Sequence, residues 1–381
     1  MPKPRTGKFS IISPLFRNGI GHHGDGGITP VIVNLANKLA TWGIQVDLLV
    51  FPPKGLSPKL DGLHTNINIV NLKSSHKITT LLSLLRYLKK EQPNALLSAG
   101  HRANLIAAWA KRISKYKTKL IISVHSTITP ESNVLKPFKR WRRNSSIRWF
   151  YPWADQIVGV SRGVADDLIE NIHIPSEQVS VIYNPVYTHE FLKQAERPIS
   201  HPWLISDSSV PVILAAGRLV PQKDFTTLIT AFAKVREKMN CKLIIMGEGE
   251  DRAKLEKMVE AYHLQKDIDL PGFIATPLAY MGKASLFTLS SAWEGFGNVL
   301  IEALAIGLPV VSTDCPSGPK EILDDGRYGS LVNVGNADQL ASAIIDALKN
   351  PPEKSILQQR AEMFGIDQSS EAYLKLSGIA V

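Results

Sequence analysis

The sequence predicts an α/β protein made of two doubly wound, Rossmann-like domains, and three observations support this. Short apolar runs alternate with segments whose apolar residues recur at helical spacing, and this alternation occurs as two successive series. A stretch containing Pro and Ser, 185–210, separates the two series and is typical of a link between domains. The length of 381 residues is enough for two domains with a core each.

These patterns set the expected domain bounds. We expect an N-terminal domain over 1–190 and a C-terminal domain over 205–365. The closing segment, 366–381, is predicted to form a helix that packs back on the first domain. In doubly wound domains a ligand binds beyond the carboxyl ends of the strands. We therefore expect the ligand in a cleft between the two domains, which face each other across it.

The first series begins with the apolar run 9–12, a glycine-rich loop and a helix. Thr29 can cap this helix with Pro30 at its first position, and Gly43 is suited to end it. The predicted strands that follow are 46–51, 94–98, 119–124, 156–160 and 179–183, and the helices are 78–90, 102–113 and 162–171.

The second series repeats the alternation. Its predicted strands are 210–216, 241–246, 267–270, 285–289 and 308–312, and its helices are 224–238, 251–263, 297–306 and 337–348. Strand–helix–strand units of this length form right-handed parallel crossovers, so each series predicts a parallel sheet.

The composition excludes several classes of protein. Apolar residues make up 44% and charged residues 20%, which is globular composition, and no apolar run is long enough for a membrane-spanning helix. The apolar stretch after the basic start ends at Pro14, too early for a signal peptide, so we expect a cytoplasmic protein. Cys241 and Cys315 are then expected to be buried, reduced thiols.

The net charge of +10 is concentrated in the first half of the chain, above all in 111–148. Aromatic residues lie among or just after these charges: Trp141, Trp149, Phe150, Tyr151 and Trp153. Basic residues mixed with Trp suit the surface of an anionic membrane, which predicts a peripheral protein on the inner face of the cell membrane. The alternatives are nucleic acid, for which the sequence contains no recognisable module, and a solvated basic face with the Trp residues in the core.

Two carboxylates lie on either side of a glycine turn in the second series. A strand ends near Ser290, Gly295 and Gly297 form the turn, and Glu294 and Glu302 lie eight positions apart. A nucleotide sugar has hydroxyls at both ends and a diphosphate between them. Carboxylates accept hydrogen bonds from vicinal hydroxyls, while glycine amides and a helix N-terminus attract phosphates.

Two cations follow the first strand of the same series, and they suit a diphosphate. Arg218 and Lys223 are placed to converge on one ligand and to offset the charge of a leaving phosphate. Gly247 ends another strand at the same edge and leaves backbone room for a nucleobase, and Phe273 has a similar position.

These segments resemble family 4 of the retaining glycosyltransferases, which have the GT-B fold. Glu294 and Glu302 match the E-x7-E motif of that family, and Gly217-Arg218 with Lys223 matches its diphosphate clamp. The resemblance implies a nucleoside diphosphate sugar as donor. By that likeness Glu294 contacts sugar hydroxyls, Glu302 the ribose, and Arg218 and Lys223 the phosphates. The implied donor-binding set is completed by Gly26, Gly27, Gly247, Phe273, Gly295, Phe296, Gly297 and Asn298.

In the first domain the resemblance points to a histidine and a glycine pair. His125 matches a family histidine near the reacting sugar carbon, and Gly26-Gly27 matches the glycine pair. His101 and Arg102 are expected on the acceptor side.

No metal and no other cofactor is expected, because Arg218 and Lys223 supply the charge that a metal would otherwise supply. A metal site at His22, His23 and Asp25 is the less favoured alternative, since a flexible glycine loop fixes no geometry. Asp267 and Asp269 fit a short D-x-D pattern, but they lie away from the phosphate site and favour a structural interpretation.

The predicted function is transfer of a hexosyl unit, with retention of configuration, from a nucleoside diphosphate sugar to a glycan. A UDP-sugar is the donor expected from the resemblance, and a lipid-linked or lipopolysaccharide- or capsule-type glycan is the expected acceptor. Two alternatives remain open, a sugar-nucleotide epimerase on the same scaffold and a non-catalytic nucleotide-sugar sensor.

Overall fold

The computed structural model describes residues 7–13, 27–51, 62–72, 76–205 and 210–379. The predictions for Gly26, His22, His23 and Asp25 lie outside the described residues. The chain divides into two compact units, one running to Val186 and resuming at Ile366, the other running from Tyr187 to Gly365.

The first unit is built on a seven-stranded parallel sheet with the order β3-β2-β1-β4-β5-β6-β7. Its strands are β1 (Lys8–Ile12), β2 (Gln45–Val50), β3 (Ile67–Asn71), β4 (Ala95–Ala99), β5 (Lys119–Val124), β6 (Gln156–Gly159) and β7 (Val179–Val181). The central strands are near-continuous apolar runs and are buried along their length, as parallel strands covered on both faces require.

Helices cover this sheet. They are α1 (Ile28–Thr41), α2 (Lys77–Glu91), α3 (His101–Ile113), α4 (Ile128–Asn133), α5 (Pro137–Phe150), α6 (Arg162–Asp166) and α16 (Ile366–Ser377). The apolar face of α1 shares one core with alternate strand residues and with Tyr373 and Leu374 of α16. Ser369 Oγ also donates to the carbonyl of Tyr183 at 2.7 Å. The closing segment is therefore a helix of the first unit.

The second unit is built on a six-stranded parallel sheet with the order β10-β9-β8-β11-β12-β13. Its strands are β8 (Val212–Ala216), β9 (Lys242–Met246), β10 (Ile268–Gly272), β11 (Leu286–Leu289), β12 (Val310–Thr313) and β13 (Ser330–Val332). Its helices are α7 (Glu190–Ala195), α8 (Pro202–Ile205), α9 (Phe225–Lys238), α10 (Arg252–Ala261), α11 (Pro277–Met281), α12 (Asn298–Ile306), α13 (Pro319–Ile322), α14 (Ala337–Lys349) and α15 (Lys354–Glu362).

The structure differs from the sequence-based assignment in several places, among them the link, the domain boundary and one helix. The stretch 185–210, interpreted as a link, contributes α7 and α8 to the second unit, and α7 packs against α11 and α12. The chain leaves the first unit at Val186, and Tyr187 pairs with Gly365 where the chain turns back. The predicted helix 162–171 is α6 followed by a π-helical turn over Asp167–Asn171.

The strand order reverses at one place in each sheet, between β1 and β4 in the first and between β8 and β11 in the second. Connections from neighbouring strands diverge at such a switch point and leave a crevice beyond the carboxyl ends of the strands. Each unit therefore has one place where its topology favours a ligand.

Candidate active site

The switch point of the second unit brings together the two segments that the sequence singled out. Gly217 and Arg218 directly follow β8, and the residues Ser290 to Gly297, here called the glutamate loop, follow β11. Since β8 and β11 are parallel neighbours, both segments leave the sheet at the same edge.

Lys223 and Glu294 form an ion pair at this edge. Lys223 Nζ donates to Glu294 Oε1 at 2.5 Å, and Ser291 Oγ donates to the same oxygen at 2.6 Å. Glu294 is only 6% exposed, so its charge is balanced inside the protein. Gln222 ties the two segments together as well, because its Nε2 donates to the carbonyl of Trp293 at 3.0 Å. The two stretches converge on one place, as predicted.

Arg218 contacts Gln222, the residue before Lys223. Its guanidinium is exposed and approaches Gln222 Oε1 at 3.5 Å. Gly247 follows β9 and passes so close to Gly217 that a Cβ on it would lie 1.9 Å from the Gly217 carbonyl oxygen. Phe273 follows β10 with its ring 48% exposed. The cation, the close backbone and the exposed ring therefore line the same carboxyl edge.

Glu302 lies in the second turn of α12, a helix that begins after Gly297. The residues on either side of it, Ile301 and Ala303, are fully buried. Burial raises the pKa of Glu302 to about 7. Among the described residues none donates a hydrogen bond to the Glu302 carboxylate. Glu294, by contrast, accepts hydrogen bonds from both Lys223 and Ser291.

The Phe296 side chain is buried, which leaves the backbone of this residue for the predicted donor contact. Its ring is 2% exposed and packs edge-on against Phe364, with the ring centroids 5.6 Å apart. The ring therefore anchors the glutamate loop to the buried side of the second unit. The turn on either side of Phe296 is formed by Gly295 and Gly297, and Asn298 is the first residue of α12.

A second segment backs the glutamate loop. The amide of Glu294 donates to the carbonyl of Pro316 at 3.2 Å, and Ser317 Oγ donates to the carbonyl of Gly295 at 2.8 Å. Gly318 has φ +95°, and a Cβ there would lie 1.8 Å from the carbonyl oxygen of Phe296. Only glycine fits at this position.

In the first unit the predicted residues lie at the carboxyl ends of β4 and β5. His125 Nε2 is 2.9 Å from Ser123 Oγ, which in turn lies 3.1 Å from the hydroxyl of Tyr373. His101 Nδ1 is 3.1 Å from the hydroxyl of Tyr151. Burial lowers the pKa of both histidines to about 4, so both rings are neutral at physiological pH.

Arg102 and Gly27 complete the described residues predicted for the first unit. The Arg102 guanidinium stacks over the ring of Phe51 at 5.5 Å. Gly27 precedes α1 as its N-cap residue.

Comparison with known proteins decides the family. Residues 198–364 match the model described as "Glycosyl transferases group 1", and residues 25–190 match "Glycosyltransferase Family 4". The chain is 32% identical over 263 residues, 69% of either protein, to the N-acetylgalactosamine-N,N'-diacetylbacillosaminyl-diphospho-undecaprenol 4-alpha-N-acetylgalactosaminyltransferase of Campylobacter jejuni. The chain belongs to the group 1/family 4 glycosyltransferases.

Other relatives of this glycosyltransferase extend over nearly its whole length. It is 25% identical to the lipopolysaccharide core biosynthesis glycosyltransferase LpsE of Rhizobium meliloti, across 92% of the chain and 96% of that protein. The solved structure of Anabaena HepE in complex with UDP-glucose matches with a TM-score of 0.76 at 18% identity, covering 97% of this chain and 98% of the other. The predicted GT-B fold, with two parallel-sheet α/β domains, is confirmed. The cleft between facing domains stays a prediction.

The basic segment of the glycosyltransferase is now seen to contain α5. Phe138, Trp141 and Trp149 are 60 to 68% exposed, which is contrary to a core position for these two Trp residues. The exposed cations of this helix and its N-cap are Lys136, Lys139, Arg140, Arg142 and Arg148. We call these exposed aromatic and basic side chains the outer face of α5.

Other members of the same segment pack against protein side chains. Tyr151 is buried, and Phe150 and Trp153 pack with Trp109, with ring centroids 5.0 to 5.3 Å apart. Arg143 donates to Glu131 at 2.6 Å, and Glu131 also accepts from Ser126, next to His125. The membrane interpretation therefore does not extend to the buried Tyr151 or to Arg143, which is paired with Glu131. Of the described residues, no helix has the length and hydrophobicity to cross a bilayer.

The acidic residues weighed in the sequence have protein partners, and the thiols are buried. Asp267 pairs with Lys242 at 2.8 Å, and Asp269 accepts from His201 Nε2 at 2.8 Å, which supports the structural interpretation of the D-x-D pattern. Cys241 and Cys315 are buried free thiols, as predicted.

Sequence reasoning missed three polar residues that hold the candidate segments within each unit. Ser291 and Gln222 hold the glutamate loop, as described above. Asp167 accepts from the amides of Ile128 and Thr129 at 2.6 and 2.9 Å and so fixes the segment after His125. In the sequence these three residues look like solvated polar residues, and only their three-dimensional partners distinguish them.

Proposed function

We propose that this glycosyltransferase transfers a hexosyl unit from a nucleoside diphosphate sugar, with retention of the anomeric configuration. The observation that carries the proposal is the meeting of Lys223 and Glu294 at the switch point, with Arg218 in contact with Gln222, the residue before Lys223. A diphosphate there gains two cations, while a buried carboxylate remains within reach of sugar hydroxyls. A UDP-sugar is the proposed donor, supported by the UDP-glucose complex of Anabaena HepE.

The proposed roles follow from the chemistry of each group. Arg218 and Lys223 bind the diphosphate, Glu294 accepts hydrogen bonds from the sugar, and Glu302 accepts them from the ribose. Gly247 and the exposed Phe273 flank the base. The amides at the start of α12, with Gly297, add a partial positive charge toward the phosphates.

The reaction proceeds without a covalent enzyme intermediate. The bond from the anomeric carbon to the phosphate oxygen breaks, the acceptor oxygen forms its bond from the same face, and the departing phosphate takes the acceptor proton. Arg218 and Lys223 offset the charge of the leaving diphosphate, so no metal is required in this scheme. His125, His101 and Arg102 are proposed to serve the sugar and acceptor side, with the His125 ring neutral.

The proposed acceptor is a lipid-linked or lipopolysaccharide-type glycan at an anionic membrane, with the protein peripheral on the cytoplasmic face. Two relatives support this, one named for a diphospho-undecaprenol acceptor and one for lipopolysaccharide core biosynthesis. The outer face of α5 combines exposed rings with cations, a combination that suits the interface of a membrane carrying acidic lipids.

A thermal-shift panel with UDP-, GDP- and ADP-sugars tests the donor. A donor at about 100 times its Kd should stabilise the protein by about 2.7 kcal/mol, and Lys223→Ala should lose most of that gain. Equal shifts in both proteins would refute the diphosphate role of Lys223. Conversion of the donor without an acceptor would favour an epimerase, and tight binding with no transfer to any membrane-derived acceptor would favour a sensor.

Vesicle sedimentation tests the membrane partner. The protein should bind vesicles of phosphatidylcholine with phosphatidylglycerol, and salt should release it. Lys139→Glu, Arg140→Glu and Arg142→Glu together should abolish binding, because all three lie on the outer face of α5. The matched control reverses the same charge at exposed lysines of the second unit, Lys254, Lys257 and Lys283. Equal loss of binding in both triple variants would contradict a specific role of α5.

A further inference from the structure

Arg360 on α15 contacts the segment that backs the glutamate loop. Its Nε donates to the carbonyl of Ile322 at 2.8 Å and its Nη2 to the carbonyl of Glu321 at 2.6 Å. These are the last two carbonyls of α13. The guanidinium fork therefore fixes α13 to α15.

Two routes lead from α13 and Arg360 to the glutamate loop. The first runs through the chain before α13, where Pro316 and Ser317 bond the backbone of Glu294 and Gly295. Gly318 adds a third contact between these segments, because its backbone packs directly against the carbonyl of Phe296.

The second route is aromatic. The Arg360 guanidinium lies 5.2 Å from the ring centroid of Phe364, and the Phe364 ring packs edge-on against Phe296. Arg360 also stacks over Tyr328 at 5.2 Å. A planar cation between two rings is held in one orientation, which a Lys ammonium in the same place would not reproduce.

We propose that Arg360 is a positioning residue for donor binding, acting through both routes on residues 294–297. This rests on the proposed function of the glutamate loop. Arg360 itself touches carbonyls and rings of its own unit, so its effect on the donor is indirect: it holds Glu294 where Lys223 and Ser291 meet it. A positional shift of this loop lowers affinity even when every contacting residue is present.

The chain offers a matched control in Arg327. Its guanidinium also stacks on Tyr328, at 5.5 Å, but its side chain is 74% exposed and its ion pair is with Asp324 at 3.9 Å. Arg327→Ala therefore removes the same charge from the same ring without releasing α13.

The experiment measures UDP binding by calorimetry and amide hydrogen exchange of the full chain without nucleotide. Arg360→Ala should weaken UDP binding about tenfold, the effect of losing about 1.4 kcal/mol from charged hydrogen bonds. Exchange should accelerate in 290–297 and 316–322 but not in β9. The UDP affinity of Arg360→Lys should lie between those of Arg360→Ala and the wild-type protein. Arg327→Ala should match the wild-type protein in both affinity and exchange. Millimolar guanidinium chloride should restore the affinity of Arg360→Ala, whereas the same concentration of sodium chloride should not.

The outcomes separate the two proposals. Failure of the wild-type protein to bind UDP, GDP or ADP would refute the proposed donor function and the positioning role with it. Normal UDP affinity in Arg360→Ala, with a wild-type protein that binds, would refute the positioning role alone. If amide exchange in Arg360→Ala is rapid throughout, including β9, that variant has lost its fold and Arg360→Lys takes its place in the test. An Arg360→Lys protein with wild-type UDP affinity and slow exchange in 316–322 would overturn the proposal.

Discussion

Glu302→Gln should make the protein more stable above neutral pH, although it removes a residue assigned to donor binding. Burial raises the pKa of Glu302 from its ordinary 4.5 to about 7. The folded chain therefore holds this proton more tightly than the unfolded chain. The resulting stabilisation is present below about pH 4.5 and is lost as the pH rises through about 7, so the ionised side chain destabilises the fold above that pH.

The magnitude follows from the difference between the two pKa values. A rise of about 2.5 units at about 1.4 kcal/mol per unit gives about 3 kcal/mol. This is an upper bound, because the Glu302 side chain keeps part of its contact with solvent. Gln has nearly the same shape and no charge, so the variant avoids the loss. For a domain of this size the full amount corresponds to a rise in Tm of about 6 to 12 °C.

Melting curves recorded without nucleotide across about pH 5 to 8 provide the assay. The variant should melt above the wild-type protein at the high end, and the gap should close toward the low end. Glu260→Gln, at an exposed site on α10, is the control and should follow the wild-type curve. Parallel curves for Glu302→Gln and wild type would refute the desolvation argument. With UDP added, the wild-type gain in Tm should exceed that of the variant, and equal gains would refute the ribose role.

Two further substitutions test the packing. Gly318→Ala should cost more than about 3 kcal/mol and weaken UDP binding, because it adds a clash with Phe296 to the strain of a positive φ. Gly335 has φ +74° with open space around it, so Gly335→Ala is the control that measures the backbone strain alone, about 1 kcal/mol. Equal losses of unfolding free energy in urea for the two glycine variants would contradict the clash. Leu374→Ala should destabilise the first unit by about 2 to 5 kcal/mol, since this side chain is fully buried in the core it shares with α1. Half-buried Leu376 is the control, and an unchanged melting curve for Leu374→Ala would show that α16 adds little to that core.

The buried strands could be predicted to within a few residues because their sequences are apolar on both faces. The strand β5 occupies the predicted 119–124, and β1, β8 and β9 begin or end within two residues of the prediction. The edge strand β3 was missed, since its residues are only partly buried and alternate weakly. The helix α5 was missed for the same reason, because Ile147 is its one buried residue and no apolar stripe marks it.

The site was predictable where topology alone decides proximity. Arg218 and Glu294 follow β8 and β11, and strands that flank a switch point deliver their loops to one edge whatever the side chains are. Which face of a segment meets solvent depends on packing that the sequence does not encode locally. Phe296, predicted to bind the donor, and Arg143, which belongs to the basic segment 111–148, both contact other protein groups for this reason.

The two glutamates differ in a way that bears on function. Glu294 is nearly inaccessible, yet Lys223 and Ser291 satisfy its charge, so the fold supplies its partners. Glu302 is buried enough for its pKa to rise to about 7, and among the described residues it has no donor. A carboxylate kept without a partner lowers stability, and such groups persist where a ligand supplies the missing hydrogen bonds. Vicinal hydroxyls of a ribose are donors of the required kind. The instability that Glu302→Gln should relieve is therefore the same free energy that donor binding should recover.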